Sequence, residues 1–550
     1  MKPNKILKYT LFCLALSVTA TGCSDFFEPE NKTILNGDNY IKENSEMYSG
    51  FTGIMTKVQA MADKAIYLTD ARAEMFVPTD RSDEMIALSN YQDNLTGNKY
   101  ADPALFYDVI IACNDYLAKI SDYKKKAVNL DESHYNGLVA SAVRIKVYTY
   151  FTMAKIYNQV VWFDDPMQSM KDYSQYPKYD LDQTIQACVD LLNKGYDGVP
   201  SNAEMKWSEW LESGNSDVTS GTYASWDYMT PPYFVLAGEL ALWQGRYQDC
   251  VDQVLGNLNT AFSTATRTAS SIKWMCNAGY GPANYFRIFN GQSMRSNVVV
   301  DGITYNYQKS QTNQLTANFY SGAATLRATD NSAARYSDPD FNPLEDPIKS
   351  KDPRFSQILE DQGQGLWRLR RYRDSNGQSA IYLHRNVELY LMLIECFNHL
   401  DRYVDMYALM NEGVDYYYKN KKDLYEKNFK GFNEWWTQFD AGRITYPDTG
   451  VRGTMGLKNR ELKTLESEDN IRYNDMEILK EYMLEFPGEG KTLPAMIRMA
   501  RRYNDNTIIS NLVCGKYLKE DEAKASSIKA KIDAGDYFVH WDIDSTSSMH

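Results

Sequence analysis

The stretch Leu236-Ala-Gly-Glu-Leu240-Ala-Leu-Trp243-Gln-Gly245-Arg-Tyr247-Gln-Asp-Cys250-Val-Asp-Gln-Val-Leu255 has the pattern of a helical hairpin. In its first half, Leu236, Leu240 and Trp243 recur at intervals of three and four residues, which places them on one face of a helix. Gly245 is expected to end that helix, because glycine readily adopts the backbone conformation that closes a helix C-terminus. A second apolar pattern then begins at an aromatic residue, so two antiparallel helices are predicted to pack against each other.

The same pattern occurs a second time further along the chain. Apolar residues from Asn386 to Leu400 lead into Asp401-Arg402-Tyr403, and the pattern resumes at Met406. In both places a turn is followed by a basic and then an aromatic residue, and such hairpins resemble tetratricopeptide units. The two basic residues, Arg246 and Arg402, lie 156 residues apart, far from a tandem period of about 34 residues. The sequence therefore predicts scattered helix pairs packed side by side.

Other segments complete the predicted fold. Helices are predicted for Pro103–Ile120 and Tyr135–Val161. Near the end of the chain, a capping box of Asn474 and Glu477 is predicted to begin another helix, which stops at Pro487–Gly490. A further helix is predicted for Leu493–Tyr503. Polar stretches at about 84–100, 207–232 and 274–353 are predicted to be long loops, with a short strand near 297–300. The predicted fold class is mainly α, with tetratricopeptide-like helix pairs packed into one body, long irregular loops and a few short strands.

The N-terminus has the features of a secretory signal. A head of three lysines, an apolar run and a few small residues precede Cys23. This arrangement is similar to the lipobox of bacterial lipoproteins, in which the cysteine becomes the lipid-bearing first residue. Residues 1–22 are therefore predicted to be a signal peptide, and residues 23–45 a lipidated tether. The alternative is an ordinary signal peptide whose cysteine is incidental.

Composition excludes several classes of protein. The chain has 42 Tyr, 21 Phe and 10 Trp in 550 residues but only 31 Gly and 17 Pro, which excludes collagen-like and low-complexity chains. Acidic residues outnumber basic ones by 72 to 59, so nucleic acid would be repelled over most of the surface and is not a predicted partner.

After the leader, no apolar run approaches the roughly 18 residues of a transmembrane helix. The six cysteines after Cys23 form no C-x-x-C pair and are predicted to be small buried hydrophobes.

The sequence lacks the motifs of metal-dependent and nucleophilic catalysis. It contains no H-E-x-x-H, G-x-S-x-G or G-x-x-x-x-G-K-[ST] string and only five histidines. Asp164 and Asp165 have the residue types of a glycosidase acid and base, but adjacent side chains diverge, so a chance pair is favoured. Asp338, Asp340 and Asn342 have calcium-like spacing without the EF-hand glycine and final acid. A solvated turn is favoured there over a structural calcium ion, and neither enzyme activity nor a cofactor is predicted.

Aromatic residues outside the helical patterns carry the strongest functional signal. They are mixed with asparagine, glutamine and arginine, and this mixture suits an uncharged polyol, since rings cover sugar C–H groups while amides and guanidiniums bond hydroxyls. The alternative is that many of these rings pin long loops onto the helices. The candidate ligand-binding residues are Arg81, Asn90, Tyr91, Trp226, Tyr228, Trp274, Tyr305, Tyr307, Asn313 and Tyr320.

Two motifs in the first and middle parts of the chain resemble segments of the SusD/RagB family of starch-utilisation-type lipoproteins. The stretch Arg144–Val160 looks like the family's long helix before a Tyr-Gly-x-Val-Pro turn, although Asn158 and Gln159 replace the usual glycine. The tripeptide Asp352-Pro353-Arg354 matches the family's Asp-Pro-Arg segment.

Two later motifs extend the resemblance over nearly the whole chain. The stretch Arg385–Glu395 is similar to the family's Arg-x-x-Glu-x-x-Leu-x-x-Ala-Glu segment, with Ile394 where alanine is usual. The stretch Glu485–Lys491, followed by Arg498 and Arg501, is similar to its Glu-Leu-x-x-Glu-Gly-x-Arg hairpin. The order and spacing of these segments are more specific than any one of them.

The resemblance implies a function as well as a fold. Members of the family are non-enzymatic, lipid-anchored glycan-binding proteins on the outer-membrane surface, which pass oligosaccharide to a SusC-like TonB-dependent transporter. It also implies an N-terminal helical region at 46–265 and a C-terminal region at 266–550, integrated in one body. The alternatives are a peptide-capturing subunit of a RagAB-type importer, a surface glycoside hydrolase, and an adaptor that binds the transporter but no nutrient.

Overall fold

The computed structural model describes residues 41–166, 175–204, 228–261, 299–307, 310–336, 352, 354–363, 365–373, 378–411, 457, 470–517 and 521–542. The α-helices are α1 Asn44–Asp70, α2 Asp83–Ser89, α3 Ala104–Lys126, α4 Glu132–Tyr157, α5 Leu181–Lys194, α6 Tyr233–Trp243, α7 Tyr247–Ala261, α8 Leu315–Phe319, α9 Asp330–Ala333, α10 Phe355–Ile358, α11 Asn386–His399, α12 Tyr403–Met410, α13 Ile471–Glu485, α14 Thr492–Tyr503, α15 Thr507–Cys514 and α16 Glu522–Asp533. The strands are β1 Phe76–Pro78, β2 Val160–Val161, β3 Lys178–Tyr179, β4 Val299–Asn306, β5 Leu326–Thr329, β6 Leu359–Asp361, β7 Leu366–Leu369 and β8 Gln378–Arg385. The predicted mainly helical fold is confirmed.

Helix α4 is the centre of the N-terminal part. Residues 137–147 are buried without a break, and eleven consecutive residues occupy every face of a helix. Helices α1, α3 and α5 pack around it. Burial on every face explains why the apolar pattern that predicted this helix is so long. The helix ends at Asn158, which has a φ of 60°. Residues 160–161, predicted as the end of the helix, instead form β2 and pair with β3.

The two predicted hairpins are present, and they pack against each other. Helices α6 and α7 form the first hairpin, α11 and α12 form the second, and α7 lies against α11. Gly245 closes the first turn with a φ of 71°. Within α6, a Cβ on Gly238 would lie 2.7 Å from the Val254 side chain, so this glycine allows the two helices to approach closely. The tetratricopeptide-like pairing of distant segments therefore builds a shared core.

The polar segments predicted to be loops contain more regular structure than expected. Helix α2 begins at Asp83 and overlaps 84–100, and β4, α8, β5 and α9 lie within 274–353. The strand predicted near 297–300 is confirmed from Val299 onward and extends to Asn306, where it pairs with β8. The remaining strands form an antiparallel sheet in the order β1-β5-β7-β6, which joins segments almost 300 positions apart in the sequence.

One predicted helix start is wrong. Helix α13 begins at Ile471, and its N-cap is Asn470, whose side chain accepts a hydrogen bond from the Tyr473 backbone N–H. Asn474 lies inside the helix, is fully buried, and donates to the Asn398 side chain at 3.0 Å. The capping-box pattern of Asn474 therefore reflects a buried side-chain contact between α13 and α11.

Buried ion pairs connect the sequence motifs of the C-terminal half. The Arg354 guanidinium pairs with Asp352 at 2.9 Å and with Glu485 at 3.1 Å. Arg385 pairs with Glu485 at 2.9 Å and with Glu489 at 2.7 Å. All five side chains are nearly or fully buried. These motifs, separated by up to 137 positions, thus meet in one charge network that joins α13 to β8.

Candidate functional site

The outer face of the four-stranded sheet carries a row of charged residues. Arg327 on β5 lies opposite Val77 on β1, and Glu360 on β6 lies opposite Arg368 on β7. The neighbouring pair Ala328–Trp367 sets the register between β5 and β7, which places Arg327 beside Arg368. Residues opposite each other on antiparallel strands share a face, so both arginines and the glutamate project on the same side.

The opposite face of this sheet belongs to the hydrophobic core. Phe76, Leu326, Ala328 and Leu369 are buried there. Alternate residues of a strand point to opposite faces, so burial of one set places the charged set on the other face, where Glu360 and Arg368 are partly exposed. The sheet therefore acts as a rigid support for the row of charges.

Tyr320, one of the predicted ligand residues, joins this row. The Arg368 guanidinium lies over its ring, 4.2 Å from the ring centroid, a cation–π geometry. The Tyr320 hydroxyl donates to Glu360 Oε2 at 3.2 Å, and Glu360 also pairs with Arg368. Burial raises the pKa of Tyr320, and the neighbouring Glu360 carboxylate adds to that rise. Burial opposes ionisation of Glu360, but the hydrogen bond from Arg368 prevails and lowers its pKa.

Two further arginines add positive charge to this row. Arg327 is only 6% exposed, and its guanidinium donates to the backbone oxygens of Leu326 and Ser321 at 2.9 and 2.5 Å. Arg373 follows β7, is exposed, and its charge favours the ionised forms of Tyr320 and Glu360. Among the described residues, neither arginine has a carboxylate within ion-pair distance. We refer to Tyr320, Arg327, Glu360, Arg368 and Arg373 together as the arginine–tyrosine face.

Tyr91 and Tyr305, both predicted to bind ligand, have structural roles instead. They are 1% and 2% exposed, respectively. The Tyr91 hydroxyl donates to the Arg72 backbone oxygen at 2.5 Å, and the Tyr305 hydroxyl donates to that of Gln59 at 2.7 Å. Buried rings with bonded hydroxyls cannot stack on a surface ligand, so for these two the alternative that rings pin loops onto helices is correct.

A second pair of predicted residues meets at one serine. The Tyr307 hydroxyl donates to Ser379 Oγ at 3.1 Å, and Asn313 Nδ2 donates to the same oxygen at 2.7 Å. Both residues are partly exposed, so ring, amide and hydroxyl groups lie together near the paired ends of β4 and β8. This pair remains a candidate ligand contact.

The other predicted residues are scattered or lie elsewhere. Arg81 is exposed in the loop after β1, 3.8 Å from the Asp80 carboxylate. Asn90, at the end of α2, is partly exposed, and its Oδ1 has no hydrogen-bond partner among the described residues. Tyr228 is partly buried against the core. Cys23, Trp226, Trp274, Asp338, Asp340 and Asn342 lie outside the described residues.

Sequence reasoning missed Arg327, Arg368 and Arg373. The run Trp367-Arg-Leu-Arg-Arg-Tyr-Arg373 is the most basic segment in its neighbourhood and could have drawn attention to this region. Nothing in the sequence, however, gives the strand register that brings it beside Arg327.

An internal polar cavity of about 50 Å³ lies between α4, α6, β8 and α14. Lys155 pairs with Glu239 at 2.8 Å and Lys491 with Glu388 at 2.9 Å in its lining. A volume of this size holds at most one or two waters. The cavity is therefore too small for a sugar ring, and its charges neutralise one another.

Within the described residues no metal-binding cluster is present, and the two glycosidase candidates contact other side chains. No group of three or more His, Cys, Asp or Glu side chains within them is arranged to hold a metal ion. The glycosidase candidates Asp164 and Asp165 each have a partner of their own, Lys146 at 2.5 Å and Tyr176 at 3.1 Å. None of the described helices combines the length and apolar character needed to cross a bilayer.

Solved structures with the same fold include SusD superfamily proteins. One from Bacteroides thetaiotaomicron superposes with a TM-score of 0.55 at 15% identity, covering 89% of this chain and 98% of its own. A SusD-like carbohydrate binding protein from Bacteroides vulgatus gives 0.53 at 13% identity, covering 83% and 84%. NanU from B. fragilis gives 0.53 at 14%, covering 86% and 91%.

These structures define the class of fold. No family model matches the sequence, and neither does any curated protein. The protein has the SusD fold, and the resemblance predicted from the motifs is confirmed at that level.

Proposed function

We propose that this protein is a cell-surface glycan-binding lipoprotein, which captures oligosaccharide and delivers it to a SusC-like TonB-dependent outer-membrane transporter. The observation that carries the proposal is the arginine–tyrosine face, a partly exposed ring and guanidinium groups held on a rigid sheet of a SusD fold. The SusD-like carbohydrate binding protein of B. vulgatus has the same fold.

The chemistry of the face suits a saccharide. The partly exposed Tyr320 ring offers apolar surface to sugar C–H groups, and guanidinium N–H groups donate to hydroxyls in a fixed geometry. Stacking of Arg368 on the ring and its ion pair with Glu360 restrict both side chains before ligand arrives. Such preorganisation lowers the entropic cost of binding.

The carboxylate content of the proposed site supports binding without catalysis. The face contains one carboxylate, Glu360, and its two oxygens are engaged by Arg368 and Tyr320. Hydrolysis of a glycosidic bond ordinarily needs two carboxylates that flank it. We therefore propose capture without cleavage, and lipid attachment through Cys23 would keep the binding body at the outer-membrane surface.

Isothermal titration tests the binding step. The purified mature protein is titrated with neutral and acidic oligosaccharides and, as the alternative ligand class, with a peptide library. Tyr320→Ala is expected to weaken saccharide binding about five- to tenfold, since an aromatic contact contributes roughly 1 kcal/mol.

Tyr473→Ala provides a matched control, because Tyr473 is a tyrosine on α13 with 36% exposure and lies outside the arginine–tyrosine face. Equal affinity of the two variants would remove Tyr320 from the site. Binding of peptides with no response to any saccharide would contradict the proposed function and favour peptide capture.

A further inference from the structure

The arginine–tyrosine face has a local excess of positive charge. It contains three guanidinium groups and one carboxylate, and that carboxylate is already paired with Arg368. The chain as a whole has a net charge of −13. A positive patch on a strongly acidic protein therefore needs an explanation beyond composition.

Arg327 is the fixed part of this charge. Its guanidinium is held by two backbone oxygens rather than by a carboxylate, and only 6% of the residue is exposed. A backbone oxygen fixes the orientation of the guanidinium but does not neutralise its charge. A partly desolvated, uncompensated cation attracts an anion more strongly than a fully hydrated one does.

Arg373 is the accessible part. It is exposed four residues after the end of β7, and its charge acts on both Tyr320 and Glu360. Guanidinium groups bind carboxylate and sulfate oxygens through two parallel N–H donors, a geometry that hydroxyl groups do not match. The face thus combines a ring for the sugar with donors that no carboxylate within the described part of the chain neutralises, and these could bind an anionic substituent.

From this arrangement we infer that the ligand of the arginine–tyrosine face is an acidic oligosaccharide, whose carboxylate or sulfate groups are bound by the arginines of that face while a sugar ring contacts Tyr320. The inference rests on the proposed function and narrows its substrate class. It departs from the sequence-based expectation of an uncharged polyol.

Matched ligands separate charge from shape. The mature protein is titrated with trigalacturonate and with its methyl ester, which keeps the sugar rings but removes the charge. Chondroitin oligosaccharides with and without sulfate then distinguish a sulfate site from a carboxylate site. The more highly charged member of each effective pair is expected to bind at least about tenfold more tightly, and its affinity should fall as salt is raised from about 50 to about 300 mM.

A charge-removing variant locates the site. Arg373→Gln alters an exposed side chain and should weaken acidic ligands about five- to tenfold while changing neutral ones less than about twofold. Arg246→Gln is the matched control, since Arg246 lies in the α6–α7 turn with 45% of its side chain exposed. Arg327→Gln should have the same effect as Arg373→Gln, with circular dichroism and thermal melting to verify folding.

The outcomes distinguish a failure of the acidic-ligand inference from a failure of the proposed glycan-binding function. Tighter binding of neutral than acidic oligosaccharides, or equal acidic binding by Arg373→Gln and Arg246→Gln, would overturn the acidic-ligand inference and leave glycan capture standing. Failure of every saccharide, neutral or acidic, would overturn both.

Discussion

At the scale of single residues, the pair Glu395–Arg498 connects two motifs that lie 103 positions apart. Arg498 donates to both carboxylate oxygens of Glu395, at 2.9 and 2.6 Å, and Arg502 also pairs with Glu395 at 2.5 Å. Burial alone would raise the pKa of Glu395, but the two arginines prevail and lower it to about 2. The carboxylate is therefore ionised over the whole physiological range.

Loss of Arg498 should destabilise the fold strongly. Arg498→Gln leaves the buried Glu395 carboxylate with one partner fewer, and breaking a buried pair costs about 3–5 kcal/mol in the free energy of unfolding. Arg501→Gln is the matched control, because Arg501 forms an exposed pair with Asp182, and such pairs contribute less than about 1 kcal/mol. Urea denaturation measures both, and similar losses in the two variants would contradict a special role for the buried pair.

The same pair predicts a pH dependence. The pKa of Glu395 is lowered in the folded state, so its stabilising contribution is complete above the unfolded value of about 4.5. That contribution is lost progressively as pH falls from about 4.5 towards 2. Glu395→Gln should therefore be less stable than the wild type at pH 7, and the difference should shrink at pH 3. A constant difference between pH 7 and pH 3 would contradict the lowered pKa.

At the scale of secondary-structure elements, the sequence was informative where an amphipathic pattern was long. Helices α4, α6, α11 and α14 were predicted because their apolar residues recur over several turns. The sheet of β1, β5, β6 and β7 was not predicted, since its strands have only three or four residues each. Such short strands have too few alternating positions to identify, and their partners lie far away in sequence.

The residues of the candidate site also differ in whether the sequence could predict them. Tyr320 was predicted from its residue type and its polar surroundings, whereas Arg327 and Arg368 acquire meaning only from a register that pairs distant strands. Tyr91 and Tyr305 show the converse error. Their residue type fitted a sugar platform, but tertiary packing buries them.

Helix α13 allows a direct test of its revised start. Asn470 caps the helix through the Tyr473 backbone N–H, so Asn470→Ala should lower the free energy of unfolding by about 1 kcal/mol, while Asn470→Asp should retain most of the stability. Because Asn470 is exposed, this loss comes from the cap rather than from packing. If Asn470→Ala has no effect on the urea midpoint, α13 does not depend on this cap in solution.

At the scale of the whole molecule, we propose separate tasks for the helical body and the predicted tether. The hydrophobic core includes residues from α1, β5 and β8, so segments from both halves of the chain stabilise the body that carries the arginine–tyrosine face. The tether is predicted only to determine where that body is located. Binding and anchoring should therefore be separable by mutation.

Cys23→Ser tests this separation. The variant removes the thiol that would carry the lipid, and since each buried methylene contributes about 0.8 kcal/mol to membrane binding, loss of the acyl chains should release the protein from the membrane. Fractionation should find wild type with the outer membrane and the variant in soluble fractions, and mass spectrometry should find acyl groups only on the wild type. Ser24→Ala, which keeps the cysteine, should behave as wild type. The saccharide affinity of Cys23→Ser should be unchanged, because the arginine–tyrosine face is built entirely from residues 320–373. If membrane association survives the substitution, Cys23 is not the anchor.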